Sequence, residues 1–404
     1  MSLVNFVKKL TVYLSDLLRP EIQNYLLEHE LADETKLVLK QKAHLGVSTL
    51  LLAEQLKGRR KAKEKLPSFY KTKNIIYAPQ LNLEQSSSEA TASFKLKLVA
   101  GKQLVDLTGG FGIDSYFFSR KFKQVHYVEP DVALAKIVQH NAGTLGATNI
   151  TFHQQSAEEY LKTLTQCDVM YIDPSRRSGS SKIVRLADCL PDITSLQSEI
   201  LKKSSQLLIK VSPLLDIQQG LRELHNVSDV YVVSVNNECK EVLFLCGQKS
   251  VEPVIHTVNL VSNGSEQNFD FTFPQERESI PVFSTPKTYL YEPNASILKG
   301  GAFKSIANSF CLEKMGTNTH LYTSEKLLSE FPGRIFKIDV FLKPDAAAVA
   351  NYLPERKANI LTRNYPLTPD QLKKKMKLVD GGEHYILAFS GQKEKYVVLA
   401  KRVK

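Results

Sequence analysis

Cysteine pairs are the first thing missing from this chain: Cys167, Cys189, Cys239, Cys246 and Cys311 are scattered through 404 residues without one C-x-x-C spacing. Zinc knuckles and disulfide frameworks are thereby excluded as organising devices, no metal site is expected, and the thiols fit a reducing compartment. Long apolar runs are missing too. No stretch approaches the roughly 18 residues of a membrane span, and Met1 to Leu10 carries Lys8 and Lys9 with no secretion-type apolar segment behind it. A cytoplasmic protein without a membrane partner is expected. Two phosphate-binding signatures are absent as well. A G-x-G-x-x-G run started at Gly110 finds Ser115 in its sixth place, and no Gly-Lys-Ser/Thr follows the glycines.

What is present is a globular composition, 43% hydrophobic, on a length that suggests two to four domains. The net charge of +11 is unevenly spread. Residues 1–75 hold 14 Lys/Arg against 8 Asp/Glu, 76–250 hold 18 against 18, 251–330 hold 6 against 9, and 331–404 hold 15 against 7. Basic ends around a neutral middle are expected of flanking modules that hold a polyanion over a core, and also of ordinary solvated lysines.

Residues 1 to about 75 read as helical, with Leu10, Leu14, Leu17 and Leu18, then Leu45, Leu50, Leu51, Leu52 and Leu56, at helical spacing. The run Lys57-Gly58-Arg59-Arg60-Lys61-Ala62-Lys63 closes that stretch and can either touch phosphates or decorate a helix end. From about 76 to 250 strands and helices alternate: Leu104 to Asp106, Val125 to Glu129, Ile150 to Phe152, Val169 to Asp173 and Gln206 to Val211 are strands, with a helix over Asp131 to Gly143. Val230 to Val235 and Glu241 to Cys246 read as a closing hairpin around Asn236-Asn237. This is an α/β pattern with a parallel sheet covered on both faces. Beyond 250 a small α+β unit is expected, with strands over Thr257 to Leu260 and Phe269 to Phe273 around a turn at Asn263-Gly264 and a helix over Ala295 to Cys311. The tail reads strand (335–342), helix (345–353), strand (359–362), helix (368–377), and strands 385–389 and 396–400. Domain boundaries are expected near 78, 250 and 330. Glu292-Pro293-Asn294 reads as a strand-to-helix turn. Lys373, Lys374, Lys375 and Lys377 give one helix a basic face, which a solvated helix would explain, but the excess charge of this stretch makes Lys373, Lys374 and Lys375 candidates for RNA contact.

Chemistry-bearing residues gather where strands end. Asp106-Leu107-Thr108-Gly109-Gly110-Phe111-Gly112-Ile113-Asp114 is a strand running into a glycine turn and then a helix, the arrangement that brings a small-molecule cofactor to a helix N-terminus. Glu129 ends the next strand 17 residues after Gly112, where a carboxylate can bind both hydroxyls of a ribose. Ser156 and Asp173 close the following strands.

These residues resemble the class I S-adenosylmethionine-dependent methyltransferases over roughly 80–250. Asp106 to Gly112 is similar to their first motif, Glu129 to the ribose-binding acid, and Asp173-Pro174-Ser175-Arg176 to the fourth motif. Thr108 in place of the first glycine, with Ile113 and Asp114 following, is similar to ribosomal RNA guanine-N2 methyltransferases. The whole chain resembles a bacterial group with a ferredoxin-like segment and a C-terminal THUMP-like RNA-binding domain, in which Glu84 to Glu89 and Lys210-Val211-Ser212-Pro213 recur. The resemblance implies a Rossmann-like seven-stranded sheet behind an N-terminal helical region, and S-adenosylmethionine held by Asp106, Thr108, Gly109, Gly110, Gly112, Ile113, Asp114, Glu129, Pro130, Ser156 and Ala157. It further implies a structured RNA, ribosomal or transfer, as partner. In two places the chain departs from the class: a serine stands where the third motif usually has aspartate, and Ser175-Arg176 replace the aromatic that stacks on the base.

Asp173 is the leading catalytic candidate, since its carboxylate and the Pro174 carbonyl can accept the hydrogens of an exocyclic amine. Arg176 and Arg177 can grip a phosphate or stack on a base, or else serve as structural ion pairs. Lys182 and Arg185 extend the same positive loop. Ser86 or Ser87 is expected to cap the helix running to Leu98, with Gln85 and Ser87 weaker candidates for the cofactor's carboxylate. Methylation of another base position, a protein or a small molecule stays open. So does a non-catalytic RNA-binding or assembly protein with a vestigial pocket.

Overall fold

The computed structural model describes residues 14–40, 42–176 and 185–404. The chain divides into two compact units, residues 1–228 with 243–251, and residues 229–242 with 252–404.

The first unit opens with helices Pro20–Glu28, Glu34–Lys40, α1 (Thr49–Lys65) and Pro67–Lys71. Leu17, Ile22, Leu52, Leu56 and Phe69 form its fully or almost fully buried interior. The basic run lies on α1 and is largely paired within the unit. Arg59 Nε reaches Glu30 Oε2 at 3.1 Å, Arg60 pairs with Glu34, and Lys61 Nζ meets Glu84 Oε1 at 2.8 Å. Expected to touch phosphates or to decorate a helix end, the run instead spends three of its charges on ion pairs within the unit.

Five strands follow: β1 (Gln103–Asp106), β2 (Gln124–Val128), β3 (Ile150–His153), β4 (Cys167–Ile172) and β5 (Ser204–Val211). They lie in the order β3-β2-β1-β4-β5, every pair parallel. Helix α2 (Glu89–Leu98) leads into β1, and α3 (Ile113–Ser119), α4 (Val132–Thr144), α5 (Ala157–Thr163) and Ile193–Lys203 connect the strands in turn. Both faces being covered, the strands are apolar almost throughout, as Val169-Met170-Tyr171-Ile172 illustrates. The chain leaves β1 toward β2 and β3, then crosses back to β4 on the other side of β1. The reversal opens a crevice beyond the carboxyl ends of β1 and β4, the place where open α/β sheets bind ligands.

In the second unit, Asn236 and Asn237 both have positive φ (49° and 66°) and make the tight turn between Val227–Val235 and Glu238–Cys246. Val254–Leu260 pairs in parallel with Asp229 to Val235, and Glu266–Phe271 pairs antiparallel with Val254–Leu260. Expected as strands 257–260 and 269–273 of a separate small α+β unit, they are instead added to the seven strands expected of the sheet, which has nine. The helix expected over Ala295 to Cys311 is two helices, Ala295–Gly300 and Ser305–Ser309, because Gly301 is left-handed (φ 86°) and stops the first. A seven-stranded sheet completes the unit, in the order 313–316, 319–324, 289–293, 333–341, 395–402, 384–390, 359–363. All its pairs are antiparallel except the last.

Candidate functional site

Absence of a Cβ is what lets the turn after β1 exist. A Cβ on Gly109 would lie 2.2 Å from the Tyr127 ring, and one on Gly112, at φ 72°, would lie 2.2 Å from Val138 Cγ1. Tyr127 and Val138 press the turn against β2 and α4. Gly110 is different: its Cβ position meets only Thr108 O, at 3.7 Å, so the space over the turn is open to a ligand.

Three side chains hold this turn in shape. Asp106, 1% exposed, accepts from Thr108 N (3.1 Å) and Ser115 Oγ (2.6 Å). Glu129 accepts from Gly110 N with Oε2 (3.0 Å) and from Asp131 N with Oε1 (2.9 Å), and Tyr127 donates its hydroxyl to Gly110 O (2.7 Å). Burial pushes Asp106 up to about 7, the charges of Asp114 and Asp173 adding to it against the bonds from Ser115 and Thr108. Burial likewise raises Glu129 against its two N–H partners.

Asp114, in the first turn of α3, is buried within a polar knot. Its Oδ2 accepts from Ser87 Oγ (2.7 Å) and Tyr171 Oη (2.8 Å), and its Oδ1 lies 3.2 Å from Lys95 Nζ, a fully buried ammonium on α2. Burial disfavours the Asp114 charge, but Lys95 and Lys210 outweigh it and hold the carboxyl below its usual range. The cap of α2 is Ser88, which bonds Thr91 in a capping box, and not Ser86 or Ser87. Ser87 is turned inward to Asp114 instead.

Asp173 follows β4. Its N–H donates to Thr108 Oγ1 (2.6 Å), tying the end of β4 to the glycine turn, and its Oδ2 is in contact with Lys210 Nζ near the end of β5. Pro174 is buried, and Ser175–Arg176 forms a two-residue ribbon with Cys189–Leu190. For Arg176 the backbone alone is described. Arg177 and Lys182 lie outside the described residues, and Arg185 is exposed. Ser156 caps α5, accepting from Glu159 N (3.2 Å), while Glu159 accepts in return from Ser156 N. Ala157 and Ile113 are buried beside their strand ends and Pro130 is exposed. Lys373, Lys374 and Lys375 belong to the second unit: Lys373 pairs with Asp380, and Lys374 and Lys375 are exposed.

The crevice therefore gathers Asp106, Thr108, Asp114, Glu129 and Asp173 around the glycine turn. Sequence reasoning missed Lys95, Ser115, Tyr171 and Lys210 as members. For Lys210 a signal existed, a cation inside the apolar run Leu207-Leu208-Ile209-Lys210-Val211. The open side of Gly110 and this set of acids suit a ligand that carries an ammonium and a ribose diol. No group of His, Cys, Asp and Glu arranged to hold a metal ion occurs among the described residues.

Five parallel strands in this order, with an acid and a glycine turn after β1, an acid after β2 and Asp-Pro after β4, make a class I methyltransferase fold. The chain is 30% identical to a protein of Porphyromonas gingivalis W83 provisionally named a methyltransferase, whose crystal structure superposes with a TM-score of 0.85 over 96% of this chain and 99% of that one. It belongs to the family of that protein. An uncharacterised S-adenosylmethionine-dependent methyltransferase of Mycobacterium tuberculosis H37Rv is 19% identical over 297 residues, 73% of this chain and 79% of that protein. Residues 289–332 match a ferredoxin-like domain and residues 333–402 a THUMP domain-like family. Both matches fall in one continuous sheet, joined by the antiparallel pairing of Tyr289–Pro293 with Gly333–Phe341.

Proposed function

We propose that this protein transfers a methyl group from S-adenosylmethionine to a base nitrogen of structured RNA, guanine N2 being the preferred atom and ribosomal or transfer RNA the preferred substrate. The observation that carries the reading is Asp173, fixed through its N–H by Thr108 and through Oδ2 by Lys210, beside the glycine turn.

When bound, the sulfonium supplies an electrophilic methyl group and loses its positive charge on transfer. The chain's own residues have four tasks. Asp106 would face the cofactor's ammonium and Glu129 its ribose diol, while Thr108, Gly109, Gly110, Gly112, Ile113 and Asp114 shape the floor between them. Pro130, Ser156 and Ala157 would border the adenine. Asp173 and the Pro174 carbonyl would accept the two hydrogens of the exocyclic amine and so aim its lone pair, alignment and exclusion of water being the main sources of rate in such a displacement. Arg176, Arg177, Lys182 and Arg185, with Lys374 and Lys375 in the THUMP-like segment, would hold phosphates.

RNA as the acceptor is supported by the THUMP-like match over 333–402, which lies within residues 331–404 and their excess of eight positive charges. Guanine N2 is supported by Thr108, Ile113 and Asp114 in the first motif. The test is to offer labelled cofactor to RNA from cells lacking the protein and to digest the RNA to nucleosides. Labelled N2-methylguanosine that disappears with Asp173→Ala is the expected result. Label in another nucleoside would change the atom, label in protein alone would overturn the acceptor, and no cofactor binding at millimolar concentration would overturn the enzyme.

A further inference from the structure

Asp173 acts in the reaction above with an ammonium in contact with its carboxylate. Lys210 is the penultimate residue of β5, and the pairing Ile172↔Ile209 sets it next to Asp173 across neighbouring strands. Its side chain is 11% exposed against 33% for Asp173, so the contact is shielded on the lysine side and open on the other. The Asp173 backbone is already anchored to Thr108. One contact to the main chain and one to Oδ2 leave a single carboxylate oxygen, Oδ1, which no described residue hydrogen-bonds.

We propose that Lys210 is a positioning residue for methyl transfer: it pins Oδ2 of Asp173, so that Oδ1 is presented to the target nitrogen. This rests on the function proposed above. As the nitrogen's lone pair forms the N–C bond, the electron pair of the breaking C–S bond stays on sulfur. The nitrogen becomes cationic, and its proton passes to Asp173 Oδ1 and from there to solvent. A neutral carboxylic acid at residue 173 could not take that proton.

The charged neighbours make the task necessary. Asp106 on β1 and Asp114 on α3 place two more carboxyl groups around the same crevice, and both act electrostatically within it. Lys95 on α2 is committed to Asp114 at 3.2 Å and to Ser87 Oγ at 3.0 Å. Lys210 is the described cation in direct contact with Asp173. Without it, the Asp173 carboxylate loses the contact that fixes Oδ2.

Aspartate-carboxyl-labelled protein, followed by 13C NMR, gives a readout that requires no RNA; the Asp173 signal is assigned from its disappearance in Asp173→Asn. That signal is expected to move in Lys210→Met, which removes the ammonium from Oδ2, and to stay near its wild-type position in Lys210→Arg. In single-turnover labelling of RNA from cells lacking the protein, Lys210→Met is expected to slow transfer by roughly 100-fold, Lys210→Arg to keep most of the rate, and cofactor affinity to stay within about threefold of wild type in both. Should Lys210→Met not fold, Lys210→Gln carries the same comparison against Lys210→Arg. Identical Asp173 signals in wild type, the neutral variant and Lys210→Arg overturn the proposal, whatever the acceptor. Absence of label in RNA with the wild type overturns the acceptor alone, since the carboxyl signal does not depend on it.

Discussion

Buried charge is handled in opposite ways in the two units. In the second, Glu292 is 2% exposed and is held by Arg334, through Nε at 2.7 Å and a further contact, and by Arg363 at the end of the edge strand Asn359–Arg363 of the same sheet. One carboxylate with two guanidinium partners has nothing left to do but join strands, and Asn294 beside it caps the helix that follows. In the first unit Asp106, Asp114 and Asp173 outnumber Lys95 and Lys210. For Asp106 the cost of burial is not cancelled and it is pushed up to about 7, whereas Lys95 and Lys210 hold Asp114 below its usual range. A carboxyl group left partly uncompensated in a crevice is poised to meet a cation or a proton, whereas one saturated by arginines is part of the frame.

The strongest test of the contrast is Asp173→Ala, which is expected to cut transfer by about 100-fold or more while leaving cofactor affinity and melting temperature close to wild type. Equal losses of activity and stability would erase the distinction between the two regions. Glu292→Ala should do the reverse, lowering stability by about 2–4 kcal/mol in a denaturant titration with no effect on cofactor affinity, the partly exposed arginines relaxing into water. Glu129→Ala is expected to weaken S-adenosylmethionine binding by about 10- to 100-fold by calorimetry, because it removes both the acceptor for the ribose diol and the brace on Gly110 and Asp131.

Asp106 sharpens the comparison through pH. Its folded value of about 7 is above the ordinary carboxylate value, so its contribution favours the folded protein in acid and fades as pH rises through about 7. Asp106→Asn should therefore raise the melting temperature of the cofactor-free protein at pH 8 and weaken cofactor binding there. Wild-type cofactor affinity should fall between pH 8 and pH 6 as Asp106 takes up a proton. The smallest effect is expected at the surface of the second unit. Lys374→Gln with Lys375→Gln should make RNA binding less sensitive to salt, the slope falling by about one unit for each phosphate that is no longer neutralised, with cofactor binding unchanged.

Much of this is readable in the chain. A parallel strand covered on both faces must be apolar from end to end, so Leu104 to Asp106 and Val169 to Asp173 announce themselves, and polar residues closing such runs mark the crevice. Gly109 and Gly112 are legible because residues with a Cβ do not make this turn, though the rings and methyls that forbid it, Tyr127 and Val138, are not. The helix expected across 295–311 fails at Gly301, where apolar periodicity carries on past a backbone that cannot. Ser87 reads as a cap because adjacent serines look alike in sequence, and only Asp114, 27 residues away, tells which one turns inward.

By itself, then, the amino-acid order determined the strand-and-helix alternation, the glycine turn, and the acids that close β1, β2 and β4. These are local properties, set by side-chain size, period and backbone freedom. The partners of those acids were decided by tertiary structure alone. Lys95 arrives from the helix before β1 and Lys210 from a strand 37 residues after Asp173, and the basic run of α1 spends its charge on Glu30, Glu34 and Glu84. Charge pairing acts through space between segments that sequence spacing does not bring together, so it is legible only when the chain has folded.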